Sequence, residues 1–150
     1  MLNIALMGAG RIGKMHAKNI ALHPICNLSY VFDINQEFAS QIAQSTKAKV
    51  TKSPDEAINN NDVDVVFIAS ATPTHVDFII KGAKAGKAIF CEKPIDLNSL
   101  NQRCRIQHRG VQRFLVLYIC EVCLCLVSLY EVLCRLRHLI VQLSFFLKSH

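Results

Sequence analysis

Residues 2–7 form an apolar run broken only by Asn3 and ended by Gly8, a pattern that predicts a strand buried in a parallel sheet. Beyond it Ile12, Met15, Ala17, Ile20 and Ala21 recur at helical spacing. That helix should stop at His23-Pro24, because proline disfavours helical backbone in the residue before it. Residues 28–32 predict a second strand closed by Asp33, and residues 36–44 a helix with Phe38, Ala39, Ile42 and Ala43 facing inward. A third short strand is expected at 48–50. Ser53-Pro54-Asp55-Glu56 then offers a capping serine, a proline at the first helical position and a glutamate that completes a capping box, opening a short helix through Ala57 and Ile58. Residues 63–69 give the clearest strand, since Val65, Val66, Phe67, Ile68 and Ala69 are unbroken and apolar. Thr74 is expected to cap a helix over 75–85, Gly86 to supply the left-handed residue that stops it, and residues 88–90 to form a fifth strand. Strand and helix alternate throughout. Parallel neighbours need long crossovers, so the alternation predicts an α/β fold with a doubly wound parallel sheet and helices on both faces.

Composition changes this picture near residue 100. A chain of 150 residues has room for one domain of common size and can bury a sizeable core. The first hundred residues hold ten Lys or Arg against nine Asp or Glu, whereas the last fifty hold seven against two, so most of the net charge of +6 belongs to the tail. Five of the seven Cys (Cys104, Cys120, Cys123, Cys125 and Cys134) lie there too, and the tail has no Ala, Pro, Asp, Thr or Met. Both sides of an ordinary domain boundary still need helix formers, turn residues and caps. The expected division is therefore a dinucleotide-binding domain over 1–100 and an atypical Cys/Arg/Leu-rich tail over 101–150. Loss of the reading frame of a longer gene near residue 100 would explain such a tail.

The N-terminus runs directly into strand and glycine loop without a signal peptide, so a cytoplasmic location with reduced thiols is expected. Cys120, Cys123 and Cys125 are a C-x-x-C-x-C cluster, but no second pair follows at zinc spacing and no metal site is expected. Residues 114–130 are apolar apart from Glu121, Ser128 and the cysteines. They fall at the lower edge of the ~20 residues that span a bilayer, with an acid near the middle, so a membrane span is the disfavoured alternative. The tail arginines are separated by apolar stretches and match no nucleic-acid-binding fold, so no nucleic-acid partner is expected.

Chemistry enters with Gly8-Ala9-Gly10-Arg11-Ile12-Gly13, a G-x-G-x-x-G match. It follows a predicted strand, opens a predicted helix, and is followed by an acid, Asp33, at the end of the next strand, as dinucleotide binding requires. Gly8 allows the turn, Gly10 lets backbone approach a pyrophosphate, Gly13 lets helix pack on strand, and the helix N-terminus offers N–H groups to the anion. Asp33 is expected to accept hydrogen bonds from the adenosine ribose and to repel a 2'-phosphate, and neither Ile34 nor Asn35 could hold that phosphate, so the expected cofactor is NAD. Capping the next helix is the competing role for Asp33. Ser70-Ala71-Thr72-Pro73-Thr74-His75 should lie at the carboxyl edge of the sheet, either touching the cofactor or acting only as turn and cap, with His75 solvated. Cys91-Glu92-Lys93-Pro94 reaches the same edge. Lys93 there could stabilise charge on a substrate hydroxyl, or form with Glu92 a solvated pair, and the residues alone leave both open.

Together GAGRIG, the FD that ends the second strand, ATPTH and AGKAIFCEKP resemble the glucose-fructose oxidoreductase / inositol dehydrogenase (Gfo/Idh/MocA) family, nearest its inositol 2-dehydrogenase branch. The resemblance covers residues 1 to about 100. It implies a Rossmann-type NAD domain of an oxidoreductase that passes hydride from a polyol or sugar hydroxyl to the nicotinamide. It implies further that Lys93 is the active-site lysine flanked by Glu92, and that Gly8, Ala9, Gly10, Arg11, Ile12, Gly13, Asp33, Ser70, Ala71, Thr72, His75, Glu92 and Lys93 sit around the cofactor. In that family a histidine, usually with an aspartate, takes the proton, and both come from a second domain that also forms much of the homo-oligomer interface. This chain departs there: no Asp follows Asp96, and His108, His138 and His150 lack such a partner. The expectation is an inactive cofactor half. The alternative is a non-catalytic NAD-binding or regulatory module whose apolar tail docks on a partner or a membrane.

Overall fold

The computed structural model describes residues 1–95 and 116–118. Six strands, β1 (Leu2–Met7), β2 (Cys26–Phe32), β3 (Lys49–Thr51), β4 (Val65–Ile68), β5 (Ala88–Cys91) and β6 (Val116–Tyr118), form one sheet in the order β3-β2-β1-β4-β5-β6. Every neighbouring pair is parallel. The chain winds outward from β1 to β3, returns to β4 and winds outward again, so strand order reverses between β1 and β4. Open parallel sheets bind ligands beyond the carboxyl ends of their strands at such a reversal. Strand β6 lies within the segment expected to be an atypical tail. The cysteine cluster and most of the apolar stretch at 114–130 lie outside the described residues.

Helices α1 (Arg11–Leu22), α2 (Gln36–Thr46), α3 (Pro54–Ile58) and α4 (His75–Lys84) make the crossovers. All four residues of β4 are buried, as is expected of a central strand covered on both faces. Helix α1 ends where proline dictates, with His23 in extended conformation, and Gly86 takes the left-handed φ of 71° just after α4. Ser53 caps α3 by accepting the N–H of Asp55 at 3.3 Å.

Three local expectations need correction. The buried stripe of α1 is Gly13, His16, Ala17 and Ile20, while Met15 is 42% exposed, because the helix turns its glycine toward the β1 loop and carries its neighbours with it. Phe38 likewise lies toward the surface of α2, where the Lys14 ammonium stands 5.0 Å from its ring centre. Thr74 precedes α4 without capping it: its hydroxyl donates to Ala71 O at 2.8 Å and meets Ser70 Oγ at 2.7 Å, inside the 3-10 turn Thr72–Thr74. Among the described residues no helix is long and apolar enough to cross a membrane, and no group of three metal-ligating side chains occurs.

Candidate functional site

The glycine loop between β1 and α1 is shaped by backbone contact at both ends. Gly8 has φ 104°, and a Cβ there would stand 2.5 Å from Ser70 N. A Cβ on Gly13 would fall on the Gly8 carbonyl, so only glycine lets α1 start this close to β1. Gly10 differs: a Cβ added there would meet nothing within 4 Å, which leaves open space directly beside the backbone. Gly10 is also the N-cap of α1, with no side chain accepting from the first turn and no acid in it. The N–H groups of that turn lack intrahelical partners, and with the positive end of the helix dipole they suit an anion beside Gly10. That combination fits a pyrophosphate. Arg11 is exposed and Ile12 half-buried at the mouth of this cradle, and Ala9 is buried under it.

Asp33, at the end of β2, is braced by backbone. Its Oδ2 accepts the Ala9 N–H at 2.6 Å and its Oδ1 the Asn35 N–H at 2.8 Å. Each oxygen keeps a second lone pair, so the carboxylate is pre-aimed and still able to accept from two ribose hydroxyls. The competing role as helix cap falls to Asn35, whose side chain accepts the Glu37 N–H at 3.0 Å. Ile34, beside Asp33, is 95% exposed, an apolar platform that the sequence noted only as lacking charge.

Beyond β4, Ser70 and Thr72 are half-buried and Ala71 exposed, and the turn they form borders Gly8. His75 is not solvated on this loop. It is 1% exposed, with Nδ1 2.9 Å from Pro94 O and Nε2 2.9 Å from Ser70 O. Its ring lies beneath the loops rather than at their surface.

Glu92, Lys93 and Pro94 follow β5, with a cis peptide between Lys93 and Pro94 and the Lys93 side chain exposed at the sheet edge. Glu92 is half-buried and turned toward α1. Its Oε1 lies 2.5 Å from Nε2 of the buried His16, and its Oε2 accepts the Lys93 N–H at 3.3 Å. Burial pushes the Glu92 carboxyl upward, but the hydrogen bond and charge of His16 and the N–H and charge of Lys93 outweigh it and hold the group below its ordinary value. Cys91, in contrast, is pushed up to about 12 by burial and by the neighbouring Glu92 charge, so its thiol stays protonated and unreactive. His16 is the site residue that sequence reasoning missed. Its signal was position: it fills a gap in the i, i+3, i+4, i+7 stripe of Gly13, Ala17 and Ile20.

The carboxyl edge thus gathers an anion cradle, a braced acid, a turn of small residues and an exposed lysine, spread across β2, β1, β4 and β5. Residues 2–116 match the model of the Gfo/Idh/MocA oxidoreductase family, NAD-binding Rossmann fold. The chain is 43% identical over 98 residues to inositol 2-dehydrogenase of Rhizobium meliloti (strain 1021), which covers 65% of this chain and 29% of that protein. The structure is similar to that of a myo-inositol dehydrogenase from Corynebacterium glutamicum, with TM-score 0.71, 38% identity, and 79% of this chain and 35% of that one covered. It is also similar to GenD2 from gentamicin A biosynthesis in complex with NAD, with TM-score 0.69, 27% identity, and 78% and 34% covered. The chain thus matches only 29% of that curated relative and 34–35% of the two solved chains.

Proposed function

Because the chain belongs to the Gfo/Idh/MocA oxidoreductase family, whose cofactor is NAD, we propose that residues 1–118 are the cofactor half of an inositol 2-dehydrogenase-type enzyme acting on a small polyol or sugar. The observation that carries this reading is the uncapped start of α1 at the open space beside Gly10, with Asp33 braced next to it. The N–H groups of the first turn hold the pyrophosphate and the Asp33 carboxylate grips the adenosine ribose. With the ribose at β2, the other mononucleotide extends across the ends of β4 and β5, past Ser70, Ala71 and Thr72 to Lys93. When bound there, NAD supplies the hydride acceptor. The Lys93 ammonium stabilises negative charge developing on a substrate hydroxyl. The two histidines at this edge, His16 and His75, are buried and engaged, and the sequence holds no Asp after Asp96. We expect residues 1–118 to bind cofactor without turning over polyol.

Titration calorimetry tests the reading. NAD should bind, NADP at least tenfold more weakly, and Asp33→Ser should narrow that difference from the NAD side. Folded protein that gives no heat with NAD overturns it.

A further inference from the structure

His16 and His75 are each 1% exposed, and they come from different helices to one short segment. From α1, His16 reaches the carboxylate of Glu92, and its ring packs on Phe67 of β4 with centroids 4.6 Å apart. At the start of α4, His75 meets the carbonyl of Pro94 with one ring nitrogen and that of Ser70 with the other. Glu92 is itself anchored by its N–H to Ile68 O at 2.9 Å, and by its Oε2 to the Lys93 N–H. A buried polar ring is costly unless hydrogen-bonded, so His16 and Glu92 hold each other, and the N–H of the neutral His75 ring holds whichever carbonyl it donates to, that of Pro94 when Nδ1 carries the proton. Lys93 lies between the two anchored residues.

We propose that His16 and His75 form a clamp that sets Lys93, and with it the nicotinamide half of the cofactor site. His16 fixes the residue before Lys93 through its side chain, and His75 fixes the residue after it through its carbonyl. The inference rests on the cofactor reading above. His16 stands one turn beyond Gly13 on the helix whose N-terminus faces the pyrophosphate, so its contact with Glu92 sets the separation between that anion cradle and Lys93. His75 ties the turn after β4 to the same segment. Both are positioning residues: neither side chain reaches the open surface where cofactor or substrate would lie.

The test uses the full chain with His16→Ala, His16→Gln, His75→Ala and Glu92→Gln. The last is the mildest, since it keeps an acceptor for His16 and removes only the charge. Two probes are titrated: NAD, and ADP, which carries adenosine and pyrophosphate alone. Hydrogen exchange of a peptide covering 91–95 is followed without ligand. Clamp variants should lose tenfold or more in NAD affinity while ADP affinity stays within twofold, and exchange in 91–95 should accelerate tenfold while residues 2–7 hold. His16→Gln should recover part of what His16→Ala loses. Parallel loss of NAD and ADP, or an unchanged NAD affinity, in variants that fold overturns the clamp, and so does unaltered exchange. Where the alanine variants fail to fold, Glu92→Gln decides by the same ratio. Wild-type protein that binds ADP no less tightly than NAD also overturns it, whereas wild-type protein that binds neither refutes the cofactor reading itself.

Discussion

Gly10→Ala and Gly13→Ala make the same chemical change three residues apart and should fail in opposite ways. At Gly13 the added Cβ would overlap the Gly8 carbonyl oxygen and stand 2.8 Å from its carbon, where ordinary contact begins at 3.4 Å. Both obstructing atoms are backbone, so no rotamer relieves the clash and α1 must withdraw from the β1 loop by roughly 1 Å, beyond what a packed interior absorbs freely. Overpacking of this kind costs about 1–3 kcal/mol, and with backbone on one side and helix on the other the expected loss is about 3 kcal/mol. At Gly10 the backbone has φ −68° and ψ −166°, which alanine adopts, and nothing lies within 4 Å. Alanine is a poorer N-cap than glycine, so the expected loss of stability there is only about 0.5–1 kcal/mol. The new methyl instead occupies the space a phosphate would need, and NAD affinity should fall at least tenfold, about 1.4 kcal/mol. Urea unfolding of both variants, with calorimetry of Gly10→Ala, measures the contrast. Equal destabilisation of the two, or Gly10→Ala binding NAD as the wild type does, would refute the assignment of Gly13 to packing and Gly10 to the cofactor.

Lys87 is buried with its ammonium donating to Asn60 O at 2.7 Å and Val63 O at 2.8 Å, so Lys87→Met strands the Val63 carbonyl, while Asn60 O keeps the Val63 N–H at 3.2 Å. Unfolding free energy should drop by about 1–3 kcal/mol with NAD affinity unchanged in the folded fraction, and a loss under 0.5 kcal/mol would contradict the contact. The Glu92 carboxyl is held below its ordinary value of 4.5 in the folded chain, so its ionised form stabilises the fold above that value. That stability drains away as pH falls from about 4.5 through the lower folded value. Glu92→Gln should therefore be less stable than wild type by about 1 kcal/mol at pH 7, and the gap should close below pH 4.5. Urea midpoints measured from pH 7 to pH 3 check this, and a gap that widens in acid would reverse the sign.

Five of the six strands were legible: β4 and β5 because a strand covered on both faces is apolar without interruption, β1 and β2 because apolar runs with few polar positions end at Gly8 and Asp33, and β3 as a short stretch ahead of Ser53-Pro54. The strand β6 was not, since the apolar run it belongs to serves strand, helix or membrane equally well. Only its parallel pairing with β5, formed over some 25 intervening residues, decides between them. Helix faces failed for a related reason. An apolar count on α1 selects Met15 over Gly13, yet contact with the Gly8 carbonyl fixes the rotation of the helix, and that contact depends on the absence of a side chain.

The site divides along the same line. The glycine cradle and Asp33 stand out in the sequence because the glycine spacing and an acid closing the next strand are local patterns, whereas His16 and Glu92 are 76 residues apart and meet only through the tertiary fold. Their hydrophobic settings hid them further: His16 occupies the inward position of a stripe otherwise made of Gly13, Ala17 and Ile20, where a polar residue lowers the apolar score. A histidine at a buried helical position must find a partner, and the partner must lie where the sheet presents one. For α1, packed against β4, that place is the carboxyl edge, so a polar residue in the stripe one turn beyond the third glycine points toward the segment that carries Lys93. Buried polar gaps in an otherwise regular stripe are thus where local patterning gives way to the tertiary contacts that hold a site in shape.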